Sequence, residues 1–116
     1  MRYLLLIYGD ESRWPAMSEA EQEAQLGKWD AYTKAITAEG IIRGGDALQP
    51  TAAATTVRVR DGETQVIDGP FAETREQLGG YYMIECQTLD QAIDAASRIP
   101  SVDTGSVEVR PIMEFD

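Results

Sequence analysis

The chain contains no histidine and a single cysteine, Cys86, among its 116 residues. The absence of histidine excludes Ser-His-Asp and Cys-His triads and most transition-metal sites, because these use imidazole as base or ligand. One cysteine excludes an internal disulfide, and without a nearby base it is interpreted as a small buried thiol. A carboxylate-only Ca²⁺ or Mg²⁺ site stays open, but no EF-hand spacing is present. The sequence therefore predicts no metal and no cofactor.

Basic residues and long apolar runs are also scarce. The chain has 10 basic against 20 acidic residues, a net charge of −10, and the basic ones are scattered. A duplex-binding surface needs clustered Lys and Arg, so no direct nucleic-acid partner is expected. No segment approaches the roughly 20 apolar residues that span a bilayer, so no membrane insertion is expected. The opening MRYLLLIYGDES lacks a cleavage site and is interpreted as a strand, which predicts a cytoplasmic protein.

At this length the chain is expected to form one domain over residues 1–116, and its first part has the pattern strand, helix, strand. The run YLLLIY is typical of a strand buried on both faces. A capping box, Ser18 with Glu21, predicts a helix that ends at Gly40. The segment IIRGGDAL predicts the second strand, with a bulge or close backbone approach at its two glycines. Helical spacing assigns the inner face of the helix to Leu26, Trp29, Thr33 and Ile36.

The second part repeats this order after an inserted hairpin. TTVRVR and TQVID flank Asp61-Gly62, a turn pair typical of β-hairpins. GYYMIEC predicts the next strand, and Thr88 with Gln91 forms a second capping box. The alternation in SVEVRPIMEF predicts the last strand. The inner face of the second helix is assigned to Leu89, Ala92, Ile93 and Ala96.

Two strand–helix–strand units predict an α+β fold, a ferredoxin-like sandwich (βαβ-βαβ with an inserted β-hairpin). An antiparallel four-stranded sheet then carries both helices on one face. However, YLLLIY and YYMI are apolar on both faces. Each large side chain left in water forfeits roughly 1.5–3 kcal/mol of burial.

The uncovered face of this sheet predicts a homodimer. A second copy packed sheet to sheet about a two-fold axis covers the apolar patch and gives a dimeric α+β barrel. The alternative is that the inserted hairpin folds back over this face. Its candidate covering residues are Val57, Val59, Val66 and Ile67.

Residues 68–80, DGPFAETREQLGG, form an unusually long connection between two strands. Asp68 precedes Gly69-Pro70 and is placed for an Asx-type turn, and Phe71 supplies an apolar anchor. Oxygen-rich, charge-paired residues follow, and Gly79-Gly80 allows a sharp entry into the next strand. The segment predicts a fixed flap on the rim of a cavity whose floor is the sheet.

The stretch DGPFAETREQLGGYY resembles the signature of the DGPF-type proteins, a branch of the YCII-related family. In that signature Asp-Gly-Pro-Phe is followed by Ala-Glu-Thr-Lys-Glu, so Arg75 stands where lysine is commoner. The resemblance extends across the chain through YLLLIYGDE, GGDALQP and GSVEVRPIMEF. It implies a ferredoxin-like, dimeric α+β barrel fold, in agreement with the strand pattern.

The resemblance implies little about activity. Some members resemble cofactor-free lyases that act on chlorinated aromatic quinone compounds. Others accompany extracytoplasmic-function sigma factors as neighbours or fused domains, which suggests such a factor as a functional partner. YCII relatives proposed as enzymes carry a His-Asp pair in a cleft, and this chain has no histidine to supply it.

The candidate site residues carry three kinds of chemistry. Asp68 can act as a general base if burial under Phe71 raises its pKa, although turn capping is the favoured interpretation. Glu108 and Arg110 share the strand face opposite the valines, where Arg110 can hold an anion if this face lines a cleft, or form a surface ion pair if it does not. An aromatic pocket is built from Tyr8, Tyr81, Tyr82, Trp14 and Trp29, with Trp29 assigned to the core. The predicted ligand-binding set is Tyr8, Arg43, Asp68, Gly69, Pro70, Phe71, Glu73, Tyr82, Glu108 and Arg110.

Three functions are compatible with these residues. The leading hypothesis is a homodimeric accessory or regulatory domain that binds a small organic or anionic ligand. The second is a cofactor-independent lyase or oxygenase for an aromatic or quinone-type substrate, with Asp68 or a tyrosine carrying the proton. The third is an interaction module whose open sheet face binds a different protein.

Overall fold

Two antiparallel sheets and three α-helices make up residues 1–115, the part of the chain that this computed structural model describes. The strands are β1 (Arg2–Gly9), β2 (Ile42–Ala47), β3 (Thr55–Arg60), β4 (Glu63–Asp68), β5 (Gln77–Glu85) and β6 (Ser106–Pro111). The helices are α1 (Arg13–Ala16), α2 (Glu19–Ala38) and α3 (Leu89–Ser97). A short 3-10 helix, Thr51–Ala53, precedes β3.

The larger sheet has the strand order β2-β5-β1-β6, and every neighbouring pair is antiparallel. Two parallel pairs, β1 with β2 and β5 with β6, are therefore each separated by one intervening strand. The helix connections α2 and α3 join these separated pairs. This arrangement confirms the predicted mixed α+β class and is consistent with a ferredoxin-like sandwich. The bulge predicted at the glycines of the second strand is also present, between Ile42 and Gly44.

The hydrophobic core lies between one face of this sheet and the helices. Tyr3, Leu5 and Ile7 alternate along β1 and point to this side, and all three are buried. Their β5 partners include Ile84 and Tyr82. The helices complete the core with Tyr32, Ile36, Ala92, Ala95 and Ala96, and Ile99 follows α3.

Both capping boxes form, but the inner face of α2 differs from the prediction. The Ser18 hydroxyl accepts a hydrogen bond from the Glu21 amide at 3.1 Å, as the sequence predicts. The buried residues of α2 are Tyr32 and Ile36, whereas Leu26 is 56% exposed. At about 100° per residue Leu26 lies roughly 80° around the helix from Ile36, outside the narrow stripe that meets the sheet. Its assignment to the inner face was wrong.

The short helix α3 approaches the sheet through alanines instead of its larger side chains. Ala92, Ala95 and Ala96 are buried, while Leu89 and Ile93 are 50% and 48% exposed. The predicted face was therefore too wide. Ile93 lies about 100° around the helix from Ala92 and about 160° from Ala95, outside the arc that the three buried alanines span.

The inserted hairpin forms a separate two-stranded sheet and does not cover the main one. Its turn residues Asp61 and Gly62 have positive φ of 52° and 77°, as a primed hairpin turn requires. The radius of gyration, 16.3 Å, exceeds the roughly 13 Å expected for a compact chain of this length. The alternative in which the hairpin folds back is thus not what this chain adopts. The exposed fractions of Val57, Val59, Val66 and Ile67 are 61%, 59%, 66% and 39%.

The last strand is shorter than its alternating sequence suggests. Pairing with β1 ends at Pro111, after which the Ile112 amide still donates to the Arg2 carbonyl at 3.0 Å. Met113 and Phe115 continue the alternation but are 74% and 85% exposed. The alternating apolar pattern therefore continues beyond the paired strand, but no other element of residues 1–115 buries its side chains.

Tyr32 offers a pH-dependent test of this core. Its hydroxyl donates to the Ala95 carbonyl at 2.8 Å, and burial raises its pKa from 10.0 to about 12. Replacing Tyr32 by Phe is expected to lower the free energy of unfolding by about 1 kcal/mol at neutral pH, because one buried hydrogen bond is lost. Near pH 11 the Tyr32 phenol stays protonated in the folded protein but ionises in the unfolded protein. The wild type should therefore lose about 1.4 kcal/mol of its free energy of unfolding relative to the Phe variant. Urea unfolding of both proteins at neutral pH and near pH 11 measures this. The same difference in free energy of unfolding at the two pH values would contradict the prediction.

Candidate functional site

The second face of the main sheet is apolar at its centre, and no helix of residues 1–115 lies on it. Leu4, Leu6 and Tyr8 alternate with the core residues of β1 and are half-buried. Leu4 pairs with Met83 and Leu6 with Tyr81, so these β5 side chains lie on the same face. We call this surface the open face. Its side chains are Leu4, Leu6, Tyr8, Leu78, Tyr81 and Met83 on the two central strands.

Charged residues flank the open face on the outer strand β6. Arg110 pairs with Leu4 and Glu108 with Leu6 in the ladder, and their side chains form an ion pair with each other. The prediction that both share the face opposite the valines is therefore confirmed. At one end, Arg2 holds Glu114 through two hydrogen bonds of 2.8 and 2.9 Å. The Arg110 side chain is 66% exposed, so its guanidinium is accessible to an anion.

The opposite flank of the open face carries a phenol–carboxylate pair that sequence reasoning missed. The Tyr81 hydroxyl donates to Asp46 at 2.8 Å, and this bond to a carboxylate raises the pKa of Tyr81. The sequence analysis assigned Tyr81 to an aromatic pocket and did not pair it with Asp46. Their meeting depends on the β2–β5 register, which a bulge shifts by one residue. The bulge itself was visible as Gly44-Gly45, but its effect on the register was not.

The sheet divides the predicted aromatic pocket into two groups. Tyr8 and Tyr81 lie on the open face, whereas Tyr82 points to the helices. The Tyr82 ring stacks on Trp29 with centroids 6.3 Å apart, and its hydroxyl lies 2.6 Å from the Thr33 hydroxyl oxygen. Neighbouring residues of a strand point to opposite faces, so Tyr81 and Tyr82 cannot line one pocket. Tyr82 and Tyr8 therefore belong to different surfaces.

Asp68 lies at the end of β4 and is exposed to solvent. Within residues 1–115 its carboxylate accepts no hydrogen bond, so the predicted Asx-type turn is not formed. Phe71 is 75% exposed and does not anchor the segment, and the burial that the general-base hypothesis requires is not present. The turn is held by the Gly69 amide, which donates to Ala54 at 2.7 Å, and by the Thr56 hydroxyl, which donates to the Gly69 carbonyl at 2.8 Å. Gly69 has φ of 98°, which side-chain-bearing residues rarely adopt.

The later part of the DGPF segment is fixed by polar bonds. Ser106 donates its hydroxyl to both oxygens of Glu76 at 3.1 and 3.2 Å. The Glu11 amide donates to the Gln77 side chain at 3.0 Å, which ties the segment to the end of β1. Pro70 is half-buried, whereas Glu73 is exposed. The segment is therefore anchored, but through different residues than the sequence suggested.

Arg43 lies in the β2 bulge and is engaged locally. Its guanidinium donates to the carbonyl oxygens of Gly40 and Ile42 at 2.9 Å each and lies 3.5 Å from Glu85. Cys86 follows the end of β5 and is half-buried, with its thiol 3.4 Å from the Thr88 carbonyl oxygen. Burial raises the pKa of this thiol, which favours the protonated form over a nucleophilic thiolate.

Residues 1–115 contain neither a metal-binding cluster nor a membrane-spanning helix. In that range no three His, Cys, Asp or Glu side chains are grouped so that they could hold a metal ion. No helix in it combines enough length with enough apolar character to cross a bilayer.

Comparison with known proteins places the chain in a family. The model of the YCII-related domain matches residues 1–116. The chain belongs to the YCII-related family. An uncharacterized protein from Rhizobium meliloti (strain 1021) is 44% identical over 114 residues, covering 97% of this chain and 92% of the relative. The assignment to the DGPF branch of the family stays a prediction.

The contrast between Asp68 and Gly69 tests which residue fixes the DGPF turn. Replacing Asp68 by Ala, which removes the capping oxygen, should change the free energy of unfolding by less than about 0.5 kcal/mol, because the side chain is exposed and makes no bond. Replacing Gly69 by Ala should cost about 1–3 kcal/mol, since a Cβ strains this backbone conformation. Chemical denaturation of the two variants measures both. A costly Asp68→Ala change would restore the capping interpretation.

Proposed function

We propose that the protein is a homodimeric accessory or regulatory domain that binds a small organic or anionic ligand. Two copies pack open face to open face and form a dimeric α+β barrel. The observation that carries this proposal is the open face itself. It presents apolar side chains from both central strands, and neither helices nor hairpin cover it.

The charges around the open face suit a two-fold interface. The apolar centre supplies the favourable free energy, because half-exposed Leu and Met side chains leave water on association. Glu108 and Arg110 lie on one flank and Asp46 on the other. Under two-fold symmetry the same residues recur on both copies, so these charges set the relative rotation of the sheets.

The proposed ligand cleft lies along the β6 flank of this interface. Arg110 is largely exposed and can bind a carboxylate or phosphate with two parallel hydrogen bonds. Its internal partner Glu108 keeps the site electrically balanced while it is empty. Tyr8 lies on the same face at the opposite end of the β1–β6 ladder, four positions from Arg110, and adds a phenol to the far end of the cleft. The proposed link to an extracytoplasmic-function sigma factor rests on the family resemblance alone.

Association through the open face is tested by placing a charge in its centre. Leu6→Asp is expected to convert a dimer into a monomer, because two buried carboxylates would face each other across the interface. Leu26→Asp is the matched control, since Leu26 is 56% exposed on α2, away from this face. Light scattering coupled to size exclusion at micromolar concentration measures the mass, and circular dichroism confirms that both variants are folded.

Two results would contradict the dimer. One is a wild-type protein that is monomeric at micromolar concentration. The other is a folded Leu6→Asp variant that keeps the dimeric mass, which would place the interface elsewhere.

Anion binding is tested at Arg110. Arg110→Gln is expected to weaken binding of citrate or phosphate by about tenfold, the loss typical of one charge-assisted contact. Arg60→Gln is the control, because Arg60 is an exposed arginine at the tip of the hairpin, distant in the fold from β6. Calorimetric titration measures both variants. Equal affinity in wild type and Arg110→Gln would exclude Arg110 from the site.

A further inference from the structure

A cavity of about 250 Å³ lies on the helix side of the main sheet, at the end of β1. Gly9, the helix α1, the middle of α2 and the loop 100–105 line it, and it is partly open to solvent. A Cβ on Gly105 would collide with the Tyr8 carbonyl oxygen, so the backbone just before β6 packs directly on the end of β1. This contact lies beside the cavity. Neither the proposed dimer interface nor the proposed anion cleft includes this cavity.

Both tryptophans of the chain line this cavity. Trp29 is half-buried and held by stacking on Tyr82. Trp14 is 41% exposed, and its carbonyl accepts hydrogen bonds from the Met17 amide at 3.1 Å and the Gln22 side chain at 2.9 Å. Met17 adds a thioether to the wall. Two indoles and a thioether are surfaces on which a flat aromatic ring packs well.

Two cations lie at the cavity without a carboxylate partner. Arg13 and Lys28 both line it, and neither forms an ion pair within residues 1–115. Asp10 and Asp103 also line it. The Asp10 carboxylate is already engaged, because it accepts from the Ser12 hydroxyl at 2.6 Å and the Ser12 amide at 3.0 Å. The lining therefore carries two cations and two carboxylates, and among the described residues neither cation is held in an ion pair with either carboxylate.

The geometry points to a binding site for a one-ring aromatic carboxylate. The ring packs against Trp14 and Trp29, and the carboxylate lies toward Lys28 and Arg13. The volume is slightly below the range of about 300–1,000 Å³ typical for drug-sized ligands, which favours a single ring. All lining residues come from one chain and lie on the side of the sheet opposite the open face. The inference therefore does not depend on the dimer.

Benzoate is the probe, and tryptophan fluorescence is the readout, because every tryptophan lies in the cavity. Benzoate is expected to change the emission saturably. Benzyl alcohol and benzylamine, which keep the ring but remove or reverse the charge, should bind at least about tenfold more weakly. Calorimetry provides an independent measure of the same affinities. Leu6→Asp protein should still bind benzoate saturably, whatever becomes of the dimer.

Two pairs of variants locate the site. Gly9 has open space where a Cβ would project and no positive φ, so Gly9→Phe should fill the cavity and abolish benzoate binding, while Gly9→Ala retains it. Lys28→Gln should weaken benzoate about tenfold toward the affinity of benzyl alcohol, since one charge-assisted contact is lost. Lys34→Gln, an exposed lysine further along α2, should leave it unchanged.

Several outcomes would overturn the inference. Equal binding of benzoate and benzyl alcohol would show that no cation recognises the carboxylate, and tighter binding of benzylamine would reverse the assigned charge. Absence of saturable benzoate binding, or binding that survives in folded Gly9→Phe protein, would exclude this cavity. Should Gly9→Phe fail to fold, the Lys28→Gln and Lys34→Gln comparison decides alone. Loss of binding in folded Leu6→Asp protein would show that the site is not complete within one chain.

Discussion

The structure depends on a mismatch between the main sheet and its helices. The central strands β1 and β5 carry large apolar residues at alternating positions on both faces, whereas α2 and α3 lie on one. The covered face buries Tyr3, Leu5 and Ile7 and forms the core. The other face keeps Leu4 and Leu6 half in water, with ionic pairs along its flanks. This exposure remains in a single copy of residues 1–115, because the hairpin forms a separate sheet whose apolar side chains are themselves exposed.

The DGPF segment is best understood as the connection that directs the chain from the hairpin back into the sheet. The reversal occurs at Gly69, whose positive φ and backbone hydrogen bond to Ala54 redirect the chain. Beyond it, Glu76 and Gln77 bind Ser106 and the backbone at Glu11, which joins the start of β5 to the ends of β6 and β1. The most recognisable sequence of the chain thus acts on backbone geometry, and its acid Asp68 remains in solvent.

Local signals in the sequence predicted the elements well, because each acts over a few residues. The capping boxes at Ser18 and Thr88 and the Asp61-Gly62 turn all form as expected. Which face of each helix contacts the sheet was less predictable. Leu26 and Ile93 are apolar and have helical spacing, yet both are largely exposed. Only a narrow stripe of each helix contacts the sheet, and the spacing alone does not show which residues that stripe contains. Contacts between side chains on neighbouring strands, such as the hydrogen bond from Tyr81 to Asp46, depend on the register of the two strands. The sequence pattern of each strand did not predict that register.

The open face and the tryptophan cavity meet at consecutive residues of one strand. Tyr8 points to the open face, while Gly9 lines the cavity. Gly105 packs directly on the backbone of both, so the start of β6 cannot shift without moving them. In the proposed dimer, a ligand that displaces this contact would change the affinity between the two copies, and association would change the ligand affinity by the same factor, as thermodynamic linkage requires. The strand β1 is held in the core through Ile7 and pairs with β5 and β6 on its two sides, so it connects the two surfaces.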